Sequence, residues 1–544
     1  MEINLSEEMR ITDNTPMKPN FFFARKQVLF YGSLLIILVV VAGYLFLTFP
    51  HAVLDDAYIY ARYAYNLSEH GNFTWNLQGD PVNGCTGILL PILYALLFKF
   101  GMGFDIQCLL VGMVSFILTG FLIWRVLFEK KANFYLAIGI YSLYLFTPVI
   151  YWNIFSGLET FLFTFFLVLS AYLFWKTLDS PKKWNVFLQF SLLFLVLSRP
   201  EGIIFVVLFD LILLYRERKQ VFRSFLLLEF LLILVIPFLA YFVWQWSKFG
   251  FPLPNPYYVK NSPVFRMSTL LEIIAFFKGS VNILGIITLL ICSTVLLVFN
   301  KKRMNRIVID HSVLLTTVSS SIGTCVVMGK YLFSILQMNI SDRFFVPFFV
   351  LAIFSIGLIV SDIAGKSSND GKFRWTSIVT MVICVLIIGV NFSGNYFAEK
   401  RYAKKYLNTM QSEHIPAGLF LHEVIPANEY LVVVIDAGAI PFYSQLPTID
   451  FGELNDAFLT HNTLTPEQRL DYLFSTNPGV IVLTGSALVN DQSDFPFTFT
   501  NFYQQIVEDT RFQNYHLEKI YGQDETLELL SNYYVFIYIR NGIN

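Results

Sequence analysis

The chain has 544 residues, of which 55% are hydrophobic, 17% aromatic and only 14% charged, and a mean hydropathy of +0.58 is too apolar for any common class of soluble domain. A net charge of -1 at pH 7, with Lys and Arg in short clusters between apolar runs, gives no basis for nucleic-acid binding. What remains is an α-helical polytopic membrane protein.

Met1 to Asn20 is polar and acidic and has no small-residue cleavage site, so the first apolar segment reads as a retained helix. At about 20 apolar residues per crossing, spans are expected near 27–49, 105–127, 133–152, 158–176, 184–198, 202–215, 225–246, 279–299, 312–336, 344–361 and 375–396, about eleven in all. The basic groups around Arg25, Lys130, Lys182, Arg216, Lys301 and Lys372 then share one side, which the positive-inside rule makes cytoplasmic. This puts the N-terminus inside and the C-terminal segment outside. Segment 87–100 is too short to span and is expected to lie in the interface.

Between the first two spans runs an outer loop, 50–104, that opens on Asp55 and Asp56. Carboxylates so close to hydrocarbon are costly without a task or a partner. The residues after them read as a short helix with Asp at its N-terminal end, where unpaired amides favour a carboxylate. Asp55, Ile59 and Arg62 share one face at helical spacing. The pair reads either as a cap with a solvated neighbour or as a working pair, one carboxylate deprotonating an acceptor hydroxyl and the other orienting it.

Arg62, Arg199, Lys248, Lys260 and Arg343 lie on the outer side, which the positive-inside rule depletes. Snorkelling to headgroups is one reading of them; the other is a set of donors for a departing phosphate. Glu159 and Glu201 flank glycines at outer helix ends, as caps or as partners for sugar hydroxyls. The cysteines and histidines show no metal-ligand spacing. A divalent cation between Asp55 and Asp56 stays open, although two carboxylates supply fewer oxygens than a tight site needs. Beyond residue 397 hydropathy falls, and 398–544 is expected to be a water-exposed mixed α/β domain after the 1–397 membrane domain, with strands at 430–436, 478–485 and 533–540 and a helix at 466–475.

Taken in order, LDDAYIYARYAYNLSEHGNFTWNLQGDPVNGCT (54–86), SGLET (156–160), LSRPEG (197–202), KFGFPLPNPYYVK (248–260), DRFFVP (342–347) and DAGAIPFYSQLPTIDFGELND (436–456) form a series. It resembles the motif series of the bacterial terminal arabinofuranosyltransferase group related to AftB. The resemblance implies a GT-C membrane fold whose first outer loop carries the general base, matched by Asp55, with Asp56 beside it. It also implies that Arg199, Lys260 and Arg343 face a lipid phosphate and that Asn255 and Tyr258 belong to the same turn. This chain departs from the group at Asn83, Cys85, Pro256 and Asn339 to Asp342.

The expected function is an inverting glycosyltransferase of the cytoplasmic membrane. It would move a sugar, arabinofuranose in that group, from a polyprenyl-phosphate donor to a cell-envelope glycan, lipid or protein acceptor, with no resident cofactor assigned. The competing reading, a flippase for lipid-linked sugars, calls for charges inside the spans and repeated halves.

Overall fold

The computed structural model describes residues 21–543, apart from 133, 219–224, 280–308, 337, 367–370, 486–500, 523–528 and 530–532. The chain begins with α1 (Phe21–Thr48), which crosses once, and α2 (Asp55–His70) with α3 (Leu89–Lys99) then form the outer loop. α3 leaves Ile92, Leu96 and the following Phe100 exposed, as a helix lying in the membrane interface would. Next come α4 (Phe104–Glu129), the pair α5 (Phe134–Leu145) and α6 (Val149–Phe155), α7 (Thr160–Asp179), α8 (Pro181–Ser198) and α9 (Gly202–Arg216). α10 (Leu226–Phe249) contains a π-helical turn at Phe230–Val235, and α11 (Asn255–Lys260) and α12 (Met267–Gly279) follow it. The last bundle helices are α13 (His311–Tyr331), α14 (Val346–Lys366) and α15 (Gly371–Thr409).

Among the described residues six helices are long and apolar enough to cross a membrane, and the α5–α6 pair, bent by 54°, raises the number to seven. The expected span at 279–299 lies, past Gly279, outside the described residues. α8 and α9, with 18 and 15 residues, are shorter or more polar than a free-standing span. They double back at the Arg199–Glu201 turn, and α8 packs against α7.

The two ends of the bundle differ chemically. At one, Lys130 just past α4 donates to Asp310 before α13 and to Asp362 in the last turns of α14, both at 2.7 Å. The other gathers the starts of α7 and α9, the ends of α8 and α13 and the approach to α14; charged side chains from these elements line one cavity.

α15 runs unbroken from Gly371 to Thr409, so the chain passes from apolar segment to C-terminal unit along one helix, with a π-helical turn at Met410–His414 and then α16 (Ile415–Val424). The unit is built on a five-stranded sheet. β1 (Leu431–Val433) leads through α17 (Ala439–Ser444) to β2 (Thr448–Asp450). α18 (Ala457–His461) and α19 (Pro466–Ser475) lead on to β3 (Val480–Gly485), followed by α20 (Asn501–Glu508), β4 (Tyr515–Tyr521) and β5 (Tyr534–Arg540). The order is β2-β1-β3-β5-β4, with β1 parallel to β2 and β3, and β5 antiparallel to β3 and β4. Strand alternation splits the core: Leu431, Val433, Val480 and Val482 pack with α16, while Val432, Ile449, Ile481 and Leu483 face the side of α19 and α20.

Candidate active site

The cavity occupies about 960 Å³ counted to its open mouth. Asp56, in the first turn of α2, supplies its carboxylate, and Arg343 donates to Asp56 Oδ2 at 3.2 Å. Asp56 Oδ1 has no hydrogen-bond partner among the described residues. Arg343 is presented by a tight loop in which Ser341 and Asp342 hold φ of 50° and 52°. Outside glycine such values are uncommon. Neighbours pin the loop: Asn153 donates to the Ser341 carbonyl at 2.8 Å, and the Ser341 hydroxyl bonds Glu399 at 2.9 Å.

Opposite stands a buried ion group. Arg199, in the turn between α8 and α9, meets Glu201 at 3.2 Å and Glu159 at 3.5 Å, and Tyr331 donates to Glu201 at 3.2 Å. Burial on its own would raise the Glu201 carboxyl, but Arg199 and Lys330 hold it down at about 2. Burial also works against the charge of Arg199, and Glu201, Tyr331 and Glu159 outweigh it, raising its pKa. Glu159 Oε2 is buried with no partner among the described residues, an acceptor left over in the wall. Glu159 owes its place to the turn before it, where Gly157 takes a φ of +73° against Cys108 and Ala57.

Lys260 and Lys330 complete the wall. The Lys330 ammonium stands 5.4 Å over the Tyr257 ring, and neither lysine nitrogen has a carboxylate partner among the described residues. Burial lowers the Lys260 ammonium below its ordinary pKa. Two ammonium groups without an acceptor therefore share a cavity with a carboxylate that has one oxygen open. Leu454, from the C-terminal unit, closes the remaining side.

In solved structures the arrangement of the chain resembles ArnT from Cupriavidus metallidurans bound to undecaprenyl phosphate, over 93% of this chain and 98% of that one, with 11% identity and a TM-score of 0.53. The fold is GT-C. ArnT from the same organism in the apo state matches over 85% of this chain and 93% of that one, at 12% identity and a TM-score of 0.50. Residues 401–538 match a domain of unknown function, DUF8728. No curated protein matches the chain.

Within this GT-C fold the sequence-predicted residues divide. Asp56, Glu159, Arg199, Glu201, Lys260 and Arg343 converge on the cavity. Asp55, the residue that resemblance matches to the base, does not line it. Its Oδ1 accepts the Ala439 amide at 2.8 Å, its Oδ2 the Gly438 amide at 3.0 Å, and its own amide donates to Tyr406 Oη at 2.9 Å. Nor does Asp55 cap its own helix, as helix-start chemistry suggests: Leu54 occupies that place, with no side-chain cap. Arg62, one face-repeat further on, is buried and donates to the carbonyls of Trp75, Pro441 and Leu446 and to Asn76 Oδ1. It is occupied by protein, not by a lipid phosphate or a carboxylate.

Lys248 also points elsewhere, to Asn72 Oδ1 at 2.7 Å. Asn255 serves the wall indirectly. Its amide donates to the Asn83 carbonyl at 2.9 Å and its side chain to Thr460 at 3.1 Å. Tyr258 packs edge-on against His461, 4.7 Å between ring centres. The two hold the Lys260 turn against the C-terminal unit. Sequence reasoning passed over Lys330, half-buried in the last turn of α13; the signal was a lysine near the outer end of a span, where the positive-inside rule depletes such charge. Among the described residues no group of three or more His, Cys, Asp or Glu could hold a metal ion.

Proposed function

We propose that the protein is a membrane glycosyltransferase that moves a sugar from a polyprenyl-phosphate donor to an acceptor hydroxyl at the outer face of the cytoplasmic membrane. The observation that carries this is the pairing, in one cavity, of the half-open Asp56 carboxylate with the unpaired ammonium groups of Lys260 and Lys330. The GT-C fold and the undecaprenyl phosphate bound by the similar ArnT structure support the donor class. The basic groups around Arg25, Lys130, Lys182 and Arg216, at the helix ends opposite the cavity, support the sidedness.

In this reading Asp56 Oδ1 takes the proton of the acceptor hydroxyl as its oxygen bonds to the anomeric carbon from the face opposite the phosphate. The bond from that carbon to the phosphate oxygen breaks, and its electron pair leaves on the phosphate. The reacting carbon passes through an oxocarbenium-like state. Lys260, Lys330 and Arg343 stabilise charge gathering on the phosphate. Arg199 is already neutralised by Glu159 and Glu201 and holds the wall, leaving Glu159 Oε2 to accept from a sugar hydroxyl. Arabinofuranose is the donor sugar that sequence resemblance favours; acceptors are envelope glycans, lipids or proteins.

Purified full-length protein in lipid nanodiscs, given radiolabelled polyprenyl-phosphate pentoses and hexoses with a panel of hydroxyl acceptors, should pass label to an acceptor and release polyprenyl phosphate. Movement of intact lipid-linked sugar across liposome bilayers, with no transfer from any donor, would establish the flippase reading instead.

A further inference from the structure

One polar connection between the bundle and the C-terminal unit runs through a residue of the outer loop. Asp55 uses both carboxylate oxygens on the turn after β1, taking the amides of Gly438 and Ala439, and anchors its own amide on Tyr406 at the end of α15. Arg62, on the same face of α2, holds α17 at the Pro441 carbonyl and the segment just past it at the Leu446 carbonyl. The turn that receives Asp55 is itself fixed two residues earlier, where Asp436 meets His414 at 3.6 Å and accepts from Tyr533. Close approach is required here, because a Cβ at position 438 would stand 2.0 Å from the Asp55 carbonyl oxygen and 2.5 Å from its carboxyl carbon.

We propose that Asp55 is a positioning residue, and that the C-terminal unit, docked through it, sets the first turn of α2 and with it the aim of Asp56. The inference rests on the reading of Asp56 as the base. Release of the β1–α17 turn frees the start of α2, so the unit governs turnover without touching the reacting atoms. Both Asp55 carboxylate oxygens accept backbone amides, and the residue does not line the cavity.

Asp55→Asn, which keeps one acceptor oxygen for the two amides, tests this. The variant should lose about tenfold to a hundredfold in kcat, with KM for the polyprenyl-phosphate sugar within about twofold, and its kcat should still rise with pH along the parent's acid limb, because the base, Asp56, is intact. An unchanged kcat, or loss of that limb, overturns the proposal, and loss of the limb returns the base to Asp55. A second readout needs no activity: in Asp55→Asn the Gly438 and Ala439 amides should exchange hydrogen at least about tenfold faster than in the parent protein. Unchanged exchange overturns the docking role. If the parent protein transfers no sugar at all, the functional reading fails while the exchange measurement still decides the docking role.

Discussion

Asp55 and Asp56 are adjacent in the chain, yet one carboxylate sits on the Gly438 and Ala439 amides while the other meets Arg343 in the cavity. Successive helical residues point about 100° apart, and that rotation separates docking from chemistry. Asp56→Asn should therefore abolish transfer, by about a hundredfold to ten-thousandfold for loss of a general base, with the exchange of Gly438 and Ala439 unchanged. Steady-state rates set beside hydrogen exchange check this; an Asp56→Asn protein at parental rate refutes the assignment.

Lys260 and Lys330 should each contribute a charge-assisted contact to the donor phosphate. Such contacts are worth about 1.5–3 kcal/mol, so Lys260→Met or Lys330→Met should weaken polyprenyl phosphate binding by about tenfold to a hundredfold. Lys248→Met, outside the cavity with its ammonium on Asn72, should leave binding unchanged. Titrating the detergent-solubilised protein and following tryptophan fluorescence separates the three variants.

Arg199 holds two buried carboxylates, so Arg199→Met should destabilise the protein by about 3–5 kcal/mol, the usual cost of leaving buried charge unpaired. Glu201 has a folded pKa lowered to about 2 from 4.5. Its contribution is thus present above pH 4.5 and lost as pH falls through about 2. Unfolding in nanodiscs between pH 7 and pH 2.5 should show the parent losing stability on acidification and Glu201→Gln losing less. Equal slopes for the two would contradict the assignment.

Much of this site could be read in the sequence because its cations break a compositional rule. Arg199, Lys260 and Arg343 stand out as charge on the side that membrane insertion depletes, and the Asp55–Asp56 pair stands out against hydrocarbon. The shared face of Asp55 and Arg62 was also legible from helical spacing; its partner was not, because it lies more than 370 residues away at Gly438 to Leu446. Local pattern cannot reveal so remote a partner. Lys330 was hidden by the apolar run around it. In the C-terminal unit β1, β3 and β5 announce themselves as apolar runs. β2 has only three residues, Thr448–Asp450, and β4 carries polar residues along an exposed sheet edge.

Docking of the C-terminal unit should weaken as pH rises. Behind the Asp55 contact lies a cluster of Glu413, His414 and Asp436, with Tyr406 and Tyr533 against it. Burial opposes the charge of His414, but Asp436, Asp55 and Glu413 overcome it and raise its pKa to about 9. A histidine raised in the folded state stabilises fully below its unfolded value near 6.5 and loses that contribution as pH climbs through about 9. Burial raises Glu413 to about 8 and Asp55 to about 7, the latter against the pull of His414 and the Ala439 amide. A raised carboxyl binds its proton more tightly when folded, so these two carry the same sign, over windows that begin near 4.5 and 3.8. All three contributions therefore fade toward alkaline pH. Protease cleavage at the α15–α16 junction in the full-length protein should accelerate between pH 6.5 and about 9, and His414→Gln should flatten the upper part of that rise. A cleavage rate that stays level or falls across the window would exclude a docking contact held by these protons.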